Sequence, residues 1–294
     1  MASFMSRKVK QNLIGLGFVS LAVIGVFVFK LGPVVVSLWY SFTDYDVVSQ
    51  PQFVGLENYK AMVADPLFWK SLVNTVYYAG VSLPLRLILA LFFAFLLNQK
   101  FRGMAFFRTV FYLPSVTAGV AIALLWTWVF EPTFGVVNNV LRWLGIAGPT
   151  WLGSPQWAMP AVIIAGVWQM GQQMLIFLAG LQTVPTQLYE VAELDGASSW
   201  QKFRSVTLPL ISPIVFFNLV VGWIQAFQVF EKVYIMTGGG PVNATMVIVM
   251  YLYKRAFTFL QMGYGSAVAW ALFIIIFGLT LLQFRTSRWV YYEN

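Results

Sequence analysis

Long apolar runs alternate with short polar ones along this chain. Six runs are long enough to cross the roughly 30 Å hydrocarbon layer of a bilayer as helices: residues 13–42, 72–97, 105–130, 158–181, 210–235 and 264–284. An even count puts both chain ends on one side. Between the first two runs, Asp65-Pro66 reads as the N-cap and first-turn proline of the second helix. Between the third and fourth, Val136, Val137, Val140, Leu141 and Leu144 recur at helical spacing between Gly135 and Gly145, which predicts a helix lying flat on the membrane surface. After the fifth, Gly238-Gly-Gly-Pro241 predicts a flexible turn, and the aromatic stretch Met246–Phe259 predicts a second interfacial helix.

Composition agrees with a bilayer protein, since 60% of residues are hydrophobic and 10% charged, far too apolar for a water-soluble domain of this length. The net charge of +8 does not point to nucleic acid, because the bases flank apolar segments and form no polar stripe. Placing the N-terminus inside gives ten bases there: Arg7, Lys8, Lys10, Lys100, Arg102, Arg108, Lys202, Arg204, Arg285 and Arg288. Six then lie outside: Lys60, Lys70, Arg142, Lys232, Lys254 and Arg255. The inside excess sits in short loops, where the positive-inside rule holds best. Both termini and the loop 182–209 are therefore expected in the cytoplasm, and segments 43–70, 131–157 and 236–263 outside. No linker interrupts the pattern, so residues 1–294 read as one membrane domain.

With no cysteine and no histidine, disulfides, thiolate chemistry and the commonest metal ligands are absent. No segment matches the phosphate-cradling pattern G-x-x-x-x-G-K-[ST], so no nucleotide site of that kind is carried here. A membrane enzyme would need a titratable cluster inside the spans, and only Arg86, Lys30 and Glu231 stand there or at their edges.

The loop 182–209 is a polar island. Three of the ten acidic residues, Glu190, Glu193 and Asp195, fall within six positions of it. Pro185 starts a short helix, Asp195-Gly196 stops it, Ser198-Ser-Trp-Gln201 fits a capping box that starts another, and Leu208-Pro209 is expected to end that one. Leu188, Val191 and Ala192 share one face of the first helix, and Glu190 and Glu193 another, so carboxylates can face water and a soluble partner.

Glu190, Ala192 and Gly196, followed after nine residues by Val206-Thr-Leu208-Pro209, resemble the EAA loop of bacterial ABC importer permeases, with Val191 standing where the family usually has alanine. Phe53-Val-Gly-Leu-Glu-Asn-Tyr59, Arg102-Gly, Phe107-Arg108, Leu113-Pro114 and Thr237-Gly-Gly-Gly-Pro241 extend the likeness to carbohydrate permeases of the maltose and glycerol-phosphate type. That resemblance implies an all-α, six-helix type I importer fold in a bacterial inner membrane. It implies a second permease, two cytoplasmic ATPase subunits that hold ATP and Mg, and an external solute-binding protein. It makes the chain a transport subunit that binds no cofactor itself. It also implies that Glu190, Ala192, Asp195, Gly196, Ala197, Leu208 and Pro209 belong to the element that couples the ATPase to the membrane.

Polar side chains inside spans are costly and tend to face a bundle interior or a water path. Trp168, Gln169, Gln172 and Gln173 on the fourth span, and Trp223, Gln225, Phe227 and Gln228 on the fifth, with Asn218 deeper, combine amides that donate and accept with aromatic faces. Such a surface suits sugar hydroxyls, although glutamines and tryptophans also bond between helices. The expected function is import of a sugar or oligosaccharide by alternating access. Alternatives are an importer for amino acids, peptides or glycerol phosphate, or an autonomous channel or secondary transporter.

Overall fold

In the computed structural model, residues 7–99 and 102–291 are described; Lys100, counted above among the inside bases, lies outside them. The helices run in the order α1 (Arg7–Val26), α2 (Gly32–Tyr40), α3 (Glu57–Ala64), α4 (Pro66–Leu97), α5 (Met104–Val116), α6 (Gly119–Val129), α7 (Val136–Trp143) and α8 (Ala158–Val167). They continue with α9 (Gly171–Leu181), α10 (Thr186–Leu194), α11 (Ser199–Lys202), α12 (Leu208–Leu210), α13 (Ser212–Phe227), α14 (Glu231–Met236), α15 (Ile248–Tyr253) and α16 (Met262–Arg285). The chain divides into two units, Met1–Ala64 with Leu252–Ala271, and Asp65–Tyr251 with Leu272–Asn294.

In the first unit, α1 and α2 join through a π turn at Phe27–Leu31 that carries Lys30, and the helix Gly15–Tyr40 is long and apolar enough to span a membrane. None of its apolar stretch is buried, so it presents a fully greasy surface of the kind that lipid or another membrane chain covers. A two-residue hairpin, β1 (Thr43–Asp44) with β2 (Gln52–Phe53), adds a scrap of sheet to an otherwise all-helical chain. Asn58 pins it by donating to the carbonyls of Ser41 at 3.0 Å and Thr43 at 2.8 Å.

The second unit is built around α4, a 32-residue helix that starts as the sequence says: the Asp65 carboxylate accepts from the Leu67 amide at 2.7 Å, and Pro66 occupies the first turn. Its small buried side chains, Ala90 and Ala94, let Met170, Met174, Phe177 and Leu181 pack in to make one apolar core. At the far end, Arg108 donates to the Leu97 carbonyl at 2.8 Å and so closes the C-terminus of α4. The second unit also carries α7, which leaves Val136, Val140 and Trp143 exposed, as a surface helix would.

Among the described residues four helical stretches reach spanning length, Gly15–Tyr40, Pro66–Leu97, Ser212–Met236 with its short break at Gln228–Phe230, and Met262–Arg285. Two more expected spans exist as bent pairs, α5 with α6 at 98° and α8 with α9 at 42°, giving four to six spans. The runs 105–130 and 158–181 are thus not straight rods. Thr117 and Ala118 turn extended after Pro114, whose ring removes one ladder donor, and Gly119 restarts the helix. The expected interfacial helix over Met246–Phe259 is corrected too. It is α15 followed by a π turn at Lys254–Thr258, and Val247, Ile248, Met250 and Tyr251 are buried instead of forming one wetted and one greasy face. Thr75 of α4 accepts the Ile248 amide at 2.8 Å and fixes the segment's start.

Candidate functional site

Three helix interruptions meet at one cavity. They are Thr117–Ala118 between α5 and α6, Trp168–Met170 between α8 and α9, and Gln228–Phe230 between α13 and α14. The cavity, about 400 Å³, is lined by residues at or beside each break: Ser115 and Gly119, then Gln169, Gln172 and Gln173, then Gln225, Gln228, Val229, Phe230, Glu231 and Lys232. Tyr78 and Arg86 of α4 complete the wall. Broken backbone at membrane depth is tolerated where it lines a polar cavity or is buried in protein, and discontinuous helices of this kind form the binding centres of many transporters.

Of the eight residues singled out for a substrate path, five glutamines (Gln169, Gln172, Gln173, Gln225 and Gln228) line this cavity. Gln169 also donates weakly, at 3.4 Å, to the Pro114 carbonyl, tying one break to another. The three aromatics lie elsewhere. Trp168 lines a separate apolar cavity of about 420 Å³ and meets Trp126 edge-on at 5.7 Å, while Phe227 is core, 2% exposed, and packs on Trp223. Trp168 and Gln169 stand at the junction where α8 and α9 meet at 42°, and their side chains line different cavities.

The cavity's charged residues went unassigned in the sequence. Arg86 is 9% exposed and its Nε has no hydrogen-bond partner among the described residues. The buried phenol of Tyr78 stands beside it, and its hydroxyl occupies the space that the missing Cβ of Gly166 leaves, since an added Cβ would lie 2.6 Å from that hydroxyl and in ordinary contact, 3.6 Å, with the Arg86 Nη2. Gln173 is also buried, with its Oε1 unpartnered. Leaving such groups unsatisfied costs roughly 1–3 kcal/mol each, and more when charged, a penalty that water or a polar ligand in the cavity would relieve.

The second feature is the acidic hairpin. α10 ends in a Schellman turn: Gly196 takes φ +74°, its amide donates to the Glu193 carbonyl at 3.0 Å, and the Ala197 amide donates to the Ala192 carbonyl at 2.9 Å. Ser198 then caps α11 by the expected box, its amide donating to Gln201 Oε1 at 2.7 Å and its Oγ accepting from the Gln201 amide at 3.4 Å. Pro185 is the residue before α10 and not its first turn. Leu208-Pro209 does not end the second helix, a further correction. A π turn at Phe203–Thr207 carries the chain into α12, where Pro209 sits in the first turn and its missing N–H costs nothing.

Two contacts fold the hairpin's arms together. Lys202 donates to Glu193 at 2.5 Å, and the hydroxyls of Tyr189 and Thr207 meet at 2.8 Å. The Lys202 hydrogen bond and charge hold the Glu193 carboxyl below its usual range. Glu190, Asp195 and Gly196 are exposed, Ala192 and Ala197 half-buried, and Leu208 and Pro209 half-buried at the base. Leu194 at the tip is 88% exposed, an apolar contact that the sequence reading passed over.

Among the described residues no group of three or more His, Cys, Asp or Glu is placed to hold a metal. Residues 70–290 match the family described as Binding-protein-dependent transport system inner membrane component. The probable ABC transporter permease protein YesP of Bacillus subtilis is 44% identical over 291 residues, 97% of this chain and 94% of that protein. The sulfoquinovosyl glycerol transport system permease protein SmoG of Agrobacterium fabrum is 37% identical over 259 residues, 87% of this chain and 84% of that one. In fold, the chain is similar to a protein in the crystal structure of a bacterial alginate ABC transporter in complex with an alginate pentasaccharide-bound periplasmic protein, with a TM-score of 0.84 and 24% identity over 97% of this chain and 98% of the other. The chain belongs to the binding-protein-dependent transport system inner membrane components, the membrane permease subunits of ABC transporters.

Proposed function

We propose that this permease carries a sugar or oligosaccharide, delivered by an external binding protein, through the polar cavity by alternating access. The observation that supports this most is the convergence of five glutamines on one cavity at three helix breaks. Amides there can donate to and accept from hydroxyls, and the breaks give the walls places to hinge. The name of the SmoG relative is in keeping with a saccharide cargo. In this reading each bent pair is one span, the six spans leave both termini on the cytoplasmic side of a bacterial inner membrane, and residues 1–294 act as one permease domain.

The acidic hairpin is the coupling element. Its rigid α10, with Glu190 and Leu194 outward, would seat in a cleft of an ATPase subunit, and Gly196 turns the chain back toward the membrane. Two such ATPases hold ATP and Mg, and a second, different permease completes the path. Replacing Gln172 or Gln228 by leucine removes a hydrogen-bonding pair from the wall without touching the core. Uptake by the assembled transporter is expected to fall about tenfold in each variant, with the complex purifying intact; transport unchanged in both would end the reading.

A further inference from the structure

The cavity wall carries two cations, Arg86 and Lys232, and one carboxylate, Glu231. Arg86 is nine-tenths buried well inside α4, and Lys232 lies across the same cavity. Neither is ion-paired among the described residues. The one carboxylate on the wall, Glu231, is turned to the start of α6, where it occupies the space a Cβ on Gly119 would need. A helix start carries partial positive charge, so that position stabilises Glu231 where it is, and one carboxylate without a salt bridge to either cation leaves the wall net positive.

Arg86 lines the cavity while nine-tenths buried, and a guanidinium in such a wall can meet a planar or tetrahedral anion with charge-assisted hydrogen bonds. Neutral hydroxyls alone would fit the glutamines, but they would leave Arg86 with its charge unanswered each time the cavity emptied of water.

From this placement we infer that the cargo is an acidic saccharide, its anionic group received by Arg86 and Lys232 while its hydroxyls meet the glutamines. The inference rests on the reading of the cavity as a saccharide path. Arg86 supplies the directional bonds, and Lys232, half-exposed in the same cavity lining, supplies longer-range attraction. Glu231 would select against two adjacent anionic groups, so one anion at a time fits the arrangement.

The test measures binding to the purified permease complex in lipid nanodiscs by titration calorimetry. The probes are cellobiose, cellobiouronic acid and cellobiose monosulfate. The acidic probes are expected to bind about tenfold or more tightly than cellobiose, with cellobiouronic acid alone favoured if the fork reads carboxylate geometry and both favoured if charge suffices. Arg86→Gln is expected to bring the preference within about twofold, and Arg86→Lys to keep part of it. Should Arg86→Gln fail to assemble, Lys232→Gln and the wild-type comparison carry the test. Equal binding of the neutral and acidic probes by the wild-type complex overturns the acidic cargo and leaves the saccharide path standing. Binding of none of the three at millimolar concentration overturns the saccharide path itself, and the acidic cargo with it.

Discussion

Gly196 shows how a single backbone angle shapes the hairpin. Its φ of +74° lies in the left-handed region, where a side chain costs about 1 kcal/mol. Within this chain no atom lies within 4 Å of where a Cβ would stand. Only the strain is therefore intrinsic to the chain, and any steric or charge penalty must come from a partner. Gly196→Asp is therefore expected to remain in the membrane at near wild-type amounts and to lose coupled transport, whereas Gly196→Asn, which tolerates the left-handed region, keeps part of it. Robust substrate-stimulated ATP hydrolysis in the Gly196→Asp complex would contradict a coupling role. Features of this kind were legible from sequence because they are local. The Asp65 cap, the Ser198 box and the Gly196 turn each join groups within two to five residues. The surroundings of Arg86 were not legible, because Tyr78, Gly166, Gln173 and Lys232 reach it from three separate parts of the chain.

At the scale of elements, apolar runs found the spans, and hydropathy was blind to what interrupts them. A run of hydrophobic residues reads the same whether its backbone continues or breaks, so α5 with α6 and α8 with α9 were expected as rods. Pro114 and Gly119 mark the first break in retrospect, and Gly171 the second; Gln228–Phe230 holds no proline or glycine and left no signal. The same blindness put Met246–Phe259 on the surface, where aromatic content and two bases imitate an amphipathic helix. Gly171 does more than begin α9. A Cβ there would lie 2.6 Å from the Phe111 carbonyl oxygen and 2.8 Å from the Tyr112 Cα, both backbone atoms that cannot swing aside. Gly171→Ala is expected to push α9 off α5 at about 1–3 kcal/mol. It should lower the yield of folded protein and the melting temperature in detergent; a variant as stable as wild type would show that this close approach is not required.

For the whole molecule, orientation joins the two features into one mechanism. The base count predicts the acidic hairpin inside, and the resemblance implies an ATPase there, two arguments that share only Arg102 and Arg108 among the residues they rest on. In the proposed mechanism the hairpin transmits force. Its arms are clamped by Lys202 to Glu193 and Tyr189 to Thr207, and its second arm continues through α12 into α13, which carries Gln225 and leads to Gln228 at the third break. Push applied at Leu194 would travel along that arm to the cavity. The most direct check uses the absence of native cysteine, which makes Ser198→Cys a single-cysteine protein with an exposed label site. With a membrane-impermeant maleimide, the thiol is expected to react in inside-out vesicles stripped of peripheral subunits and to stay unmodified in sealed cells. Modification in sealed cells would place the hairpin on the outer face and contradict the coupling account.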